Sequence, residues 1–157
     1  MATFYVCDSF LSELLQGTHT ANDQYKLALF AGTATITRTT TVFNSTGEVT
    51  GTGYSTGGIA LAKDASAGQA DGTYANIRLD TTNHFAGYDF ADAVFTNVTI
   101  AGLRANGFQA LIYNFSKSNK AVAFGTWAIN DLANDPSAAN LTITMPGTGT
   151  VVVKLTG

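Results

Sequence analysis

The chain of 157 residues is short of several things at once. Charged residues make up only 12% of it, about half the usual share, and its net charge is -3. Nucleic-acid binding draws on clustered Lys and Arg, and the eight basic residues are dispersed without forming a stripe, so no nucleic-acid partner is expected. One cysteine, Cys7, excludes an internal disulfide, and its apolar neighbours predict a buried thiol. Only two histidines occur, His19 and His84, and with Cys7 they fall short of a four-ligand zinc shell. No metal or cofactor is expected. Apolar runs never approach the length of a membrane span, and Met1 to Cys7 has neither a basic start nor a cleavage-like pattern, so no membrane association and synthesis in the cytosol are expected.

What is abundant is glycine and β-branched residues. The stretch "GEVTGTGYSTGG", residues 47–58, holds five glycines, which raises the question of a phosphate loop. A dinucleotide fingerprint counted from Gly51 needs glycine where Thr56 stands. A Walker loop needs Lys after its last glycine, and Gly58 is followed by Ile59. Neither motif continues into a helix, because Ile59 to Ala62 is soon broken by Lys63, Asp64 and Gly68. The glycines are therefore expected to serve turns, bulges and close backbone approach between short strands.

One helix and many strands are predicted. "DSFLSELLQG" places Asp8 or Ser9 at the N-cap, Phe10, Leu11, Leu14 and Leu15 along one face, and Gly17 at the stop, giving a helix at about 8–17. Tyr25, Leu27 and Leu29 alternate as in a strand. The Thr-rich run 33–43 and further β-favouring runs at 75–80, 91–103, 108–115, 120–129, 140–145 and 150–155 follow, parted by Gly, Asn, Asp and Ser. With both prolines, Pro136 and Pro146, between runs and no repeat or linker, residues 1–157 read as a single-domain, mainly β protein. The expected architecture is a β-sandwich, jelly-roll-like or Ig-like, with one short N-terminal helix. The stretch 63–74 is expected to be a loop, and the expected core comprises Leu11, Leu14, Leu27, Leu29, Ile59, Leu111, Tyr113 and Trp127.

Catalytic chemistry is sparse. Asp89 and Asp92 straddle Phe90 and Ala91 and suit a turn better than a glycosidase pair. "NDLANDPSAAN", residues 130–140, lacks the spaced acids and the bidentate glutamate of an EF-hand, and no nucleophile elbow is present. No catalytic residue is assigned, and the protein is not expected to be an enzyme.

The order of segments resembles a family of small virion structural proteins of tailed bacteriophages. The resemblance rests on "LLQGTH" ending the helix, then "DQYKLALF", "TVFNSTGEVTGTGYSTGGIAL", "ADAVFTNVTIAGLRANGFQALIYN" and "NKAVAFGTW", from about residue 8 to 145. Its best signature is "TGEVTGTGY" with "ALIYN". Where the family tends to have proline and tryptophan before the N-x-T strand, this chain has Ala93, Val94 and Phe95. The resemblance implies a β-rich assembly subunit residing in the virion and transfers no catalytic residue. The expected role is a capsid decoration or cement protein that binds across joints of the major capsid protein. Further copies of itself in a symmetric homo-oligomer are expected as partners, and a tail or fibre-base component binding host glycan is the alternative. Tyr54 lies among glycines that cannot bury it locally, so its ring either packs elsewhere in the domain or meets a neighbouring subunit. Glu48 and Tyr54, with Val151, Val153 and Leu155 of a C-terminal edge guarded by Lys154 alone, form the candidate subunit interface.

Overall fold

The computed structural model describes residues 3–20, 22–62, 77–80, 82, 84–146 and 152–156. It is a mainly β fold of antiparallel sheets, β-sandwich-like, with two helices among the described residues. The elements in chain order are β1 (Thr3–Val6), α1 (Asp8–Leu15), β2 (Tyr25–Ala31), β3 (Ile59–Ala60), β4 (Ile77–Asp80) and β5 (Phe85–Tyr88). Then come β6 (Ala93–Val98), α2 (Leu103–Asn106), β7 (Phe108–Asn114), β8 (Lys120–Trp127), β9 (Ala139–Ile143) and β10 (Val153–Thr156). The principal sheet is five-stranded in the order β1-β8-β7-β2-β3, and two smaller sheets, β10-β5-β4 and β6-β9, accompany it.

Strands β2, β7 and β8 are almost continuously apolar because both faces of their sheet are covered, which removes the alternation a half-exposed strand would show. On one face the pairs Leu27 with Ile112 and Leu29 with Ala110 look toward the second layer. There Tyr25 meets Tyr88 at 5.7 Å and Phe90 at 5.3 Å between ring centroids. On the other face Phe30, Leu111 and Tyr113 lie under the segment 33–49, whose Phe43 stacks on Tyr113 at 4.4 Å. Residues from both layers form one continuous core.

The Thr-rich run 33–43 is not the strand its β-branched residues predict; only an isolated bridge joins Val42 to Lys120. Its hydroxyls serve the local backbone instead. Thr40 Oγ1 accepts the Thr37 N–H at 3.0 Å and Thr37 Oγ1 accepts that of Thr39 at 3.3 Å, which competes with a ladder. The Gln109 amide stands in for a strand neighbour by accepting from Ile36 N–H and donating to its carbonyl, at 3.2 and 3.1 Å.

Helix α1 starts one residue earlier than the expected caps allow. Cys7 is its N-cap and makes no side-chain cap bond, while Asp8 is already helical. The predicted stop holds: Gly17 takes φ of 70° just beyond the C-cap. With two turns to offer, α1 buries the stripe of Phe10 and, in part, Leu14. Leu11 and Leu15, one position further round, are 42% and 91% exposed, so Leu11 is not a core residue. Leu27, Leu29, Leu111 and Tyr113 are buried as expected, whereas Ile59 and Trp127 pack against the core half-covered.

The β7-β8 ladder slips between Ile112, opposite Ala123, and Tyr113, opposite Ala121, so that Val122 is an extra residue. Beyond the slip, Asn114 stands opposite Lys120. The bulge thereby decides which polar groups share a face.

Candidate interaction surface

The glycine-rich segment lies along the side of β2 that faces away from β7. Ala31 N–H donates to the Gly47 carbonyl at 3.0 Å, Val49 N–H to that of Leu29 at 3.0 Å and Leu61 N–H to that of Tyr25 at 2.9 Å. Ile59 and Ala60 pair with Leu27 and Lys26. Midway, where the segment bows outward, the Leu29 N–H finds its acceptor in a side chain, the Tyr54 hydroxyl at 2.9 Å. That hydroxyl donates to Glu48 Oε1 at 2.7 Å, and the same oxygen accepts the Gly57 N–H at 2.7 Å. Tyr113 closes the arrangement by donating to the Gly57 carbonyl at 2.8 Å.

Between these anchors the bow reaches the second layer. Thr52 bridges Thr99, whose N–H donates to the Thr52 carbonyl at 2.9 Å, and the Tyr54 ring stacks on Phe95 of β6 at 5.5 Å. The glycines are required by approach: a Cβ at Gly51 would be driven into the Thr99 carbonyl, and one at Gly58, where φ is 69°, into that of Leu27. The segment thus covers a sheet edge and sews two layers together. Burial comes first and the Glu48 charge adds to it in holding the Tyr54 phenol above its usual range, despite the Leu29 N–H. The same two causes push Tyr113 up to about 12.

Of the five residues read as a subunit interface, the structure therefore turns two inward. Tyr54 spends its hydroxyl and ring, and Glu48 its Oε1, within the domain, because Tyr54 supplies the acceptor that β2 lacks at Leu29; Glu48 Oε2 is buried with no hydrogen-bond partner among the described residues. Val153 is also interior, 1% exposed, since its side chain faces the core while its backbone pairs with Tyr88. Val151 and the Leu155 side chain lie outside the described residues. Among the described residues, β10 is the outermost strand of its sheet. Lys154 is exposed and its ammonium lies 4.5 Å from the centre of the Phe85 ring.

A polar network that sequence spacing does not announce ties α1 to the five-stranded sheet. Asn114 Oδ1 accepts the Ser116 N–H at 3.0 Å, which orients the amide so that Nδ2 donates to Asp23 Oδ2 at 2.7 Å and to His19 Nδ1 at 2.9 Å. His19 Nδ1 is then an acceptor, and Nε2 carries the proton given to Glu13 Oε2 at 2.8 Å. The Lys120 ammonium sits on the other Glu13 oxygen. Burial would raise the Glu13 carboxyl, but hydrogen bonds from Lys120 and His19, with the Lys120 charge, hold it below the ordinary range. Asp23 is likewise lowered against burial, by Asn114, by the Thr20 N–H and hydroxyl, and by Lys117 at 3.6 Å. The His19 side chain is 0% exposed. Such a group positions a helix and a turn.

The remaining acids read from sequence are also spent on backbone. Asp92 accepts the Met145 N–H at 2.9 Å, Asp131 that of Ala128 at 2.8 Å, and Asp135 those of Gly102 and Arg104 at the start of α2 at 2.7 and 2.6 Å. Hydrogen bonds to Arg104 and Gly102 keep the Asp135 carboxyl low. His84 is exposed. The Cys7 thiol is buried, and burial, then the Asp8 and Glu13 charges, push it up to about 12, which removes it as a nucleophile. A cleft of about 400 Å³ lies beside Asp23, Gln24, Lys26, Leu61 and Phe90. Its two charged groups are engaged already, Asp23 by Asn114 and Thr20, and Lys26 by the Phe115 ring at 4.1 Å. Among the described residues no group of His, Cys, Asp and Glu is arranged to hold a metal ion, and no helix is long and apolar enough to cross a membrane. The chain matches no family model, no curated protein and no solved structure.

Proposed function

We propose that this chain is a structural protein of a tailed-phage virion, a capsid decoration protein that binds across joints between major capsid subunits and stabilises the filled head. The resemblance of its segment order supplies the class. The observation that carries the role is β10, a strand at the margin of its sheet whose outer side meets no other strand among the described residues. Adding a strand to such an edge supplies main-chain hydrogen bonds with little demand on side chains, and a repeated lattice multiplies each modest contact. The engagement of Glu13, His19, Asp23, Asn114 and Glu48 within the domain supports a scaffold role for these polar groups.

Virions lacking the protein should assemble and adsorb to host cells normally, yet release DNA at lower temperature than complete virions. Particles that are thermally normal but fail to adsorb would replace this reading with the tail-associated, glycan-binding one. The contact is checked by Lys154→Pro, which removes one N–H from β10 and restricts its backbone. Lower occupancy on purified heads, with the melting temperature of the free protein retained, supports β10 as the docking edge.

A further inference from the structure

We propose that β1 is a self-pairing edge, through which two copies of this chain join their five-stranded sheets antiparallel about a two-fold axis at Tyr5. Among the described residues, β1 is the last strand on its side of the sheet. Its backbone directions follow from the two residues after it. The Cys7 N–H points inward to the Val122 carbonyl at 2.9 Å, and the Asp8 N–H points outward to that of Arg38 at 2.8 Å. In an antiparallel ladder successive residues alternate in the side to which they turn both backbone groups. Tyr5 therefore pairs with Phe124 of β8, while Phe4 and Val6 turn N–H and C=O away from the sheet, where no strand lies among the described residues.

Nothing in this strand discourages pairing. "TFYV" has no charge and no proline, and its ladder with β8 runs without a bulge. The opposite margin of the same sheet is sealed by the glycine segment, and β10 carries Lys154. A second copy is the occupant that fits, because the edge is its own complement. Centred on Tyr5, a two-fold pairing sets Phe4 opposite Val6 of the other copy, so that every outward N–H meets an outward C=O. Tyr5 then meets its own counterpart at a non-hydrogen-bonded position, where side chains come closest. Tyr5 is 39% exposed, tilted against Phe124 at 5.5 Å, with the Arg38 guanidinium 5.6 Å from its ring centre. Arg38 also limits the contact, since its carbonyl already occupies the Asp8 N–H and an added strand cannot extend past Cys7. An edge this short buries well under the roughly 800 Å² per partner of a standard interface, so the dimer is weak by itself. The inference concerns the free chain and stands without the virion reading.

Sedimentation equilibrium on the full chain tests it. Between about 10 μM and about 1 mM, the range expected of a small interface, the average mass should climb from one chain toward two. Tyr5→Glu should stay monomeric throughout with its melting temperature retained, and an equimolar mixture of Tyr5→Glu with Tyr5→Lys should associate at least about tenfold more tightly than either alone. Tyr5→Cys should form a covalent dimer under mild oxidant, because directly opposed non-hydrogen-bonded residues have Cα atoms about 4.5 Å apart. Wild-type protein that keeps a single-chain mass at about 1 mM, together with a Tyr5→Cys variant that forms no cross-link, would overturn the proposal. Dimerisation that Tyr5→Glu leaves intact would overturn it too, by placing the contact elsewhere.

Discussion

The two margins of the five-stranded sheet are treated in opposite ways. Beside β2, a bowed segment rich in glycine supplies carbonyls, N–H groups and, at Leu29, a tyrosine hydroxyl, so that the strand behaves as an interior one. Beside β1 the backbone groups of Phe4 and Val6 have no strand to meet among the described residues. A strand edge is thus a property of what runs next to it: among the described residues, "GEVTGTGYSTGG" runs along one edge and Arg38's carbonyl meets the other.

The largest effect that would break the contrast is expected at Gly58. Gly58→Ala forces a Cβ toward the Leu27 carbonyl at a φ that L-residues rarely adopt and should destabilise the domain by about 3 kcal/mol or more, read by urea unfolding. Leu111→Ala, in the strand equidistant from both margins, should cost about 2 to 5 kcal/mol by the same measurement and gives the core reference. Tyr54→Phe keeps the ring on Phe95 but leaves the Leu29 N–H without its acceptor and removes a donor from Glu48. A loss of about 1 to 3 kcal/mol is expected, and the Leu29 amide should exchange with solvent far faster, approaching the amides of Phe4 and Val6.

Acid sharpens the contrast from another side. Glu13 and Asp23 have carboxyls held below their ordinary values, so the stability they contribute is fully present above the unfolded range near pH 4 and is lost as pH falls through the lower folded values. Unfolding monitored from pH 5 to pH 2 should show this decline, and Glu13→Gln should flatten it. The smallest effect is expected at Leu11→Ala, on the outside of α1, below about 1 kcal/mol; a larger loss would show that α1 buries a different face.

Much of the fold is legible in the chain because its strongest signals are local. Alternation at Tyr25, Leu27 and Leu29, the apolar runs of β7 and β8, and Gly17 ending α1 all act within a few residues. The buried face of the helix reads too wide because a periodic stripe shows which residues share a side and not how much of that side a two-turn helix can cover. The run 33–43 misleads because threonine has two tendencies, a branched Cβ that suits strands and a hydroxyl that caps turns. Here Thr37 and Thr40 follow the second. Strands β1, β3 and β5 have only four, two and four residues, too few for any period to register. The roles of Glu48 and Tyr54 are half legible: glycine neighbours imply that the ring must travel to be buried, but only the placement of Leu29, 25 residues away, shows what its hydroxyl meets. The His19 network is hidden because its members Glu13, Asp23 and Asn114 come from separate segments.

The extra residue at Val122 lets the hairpin change length without changing faces. Deleting one residue from 121–123 would restore a regular ladder in which Lys120 still stands opposite Asn114, on the side where Glu13 waits. Glu13 would then keep both its histidine and its ammonium. Insertions in the tip at 115–119 likewise leave the phase of both strands untouched. Relatives of this chain should therefore vary in length at the hairpin tip and at the bulge, while Lys120 and Glu13 stay paired.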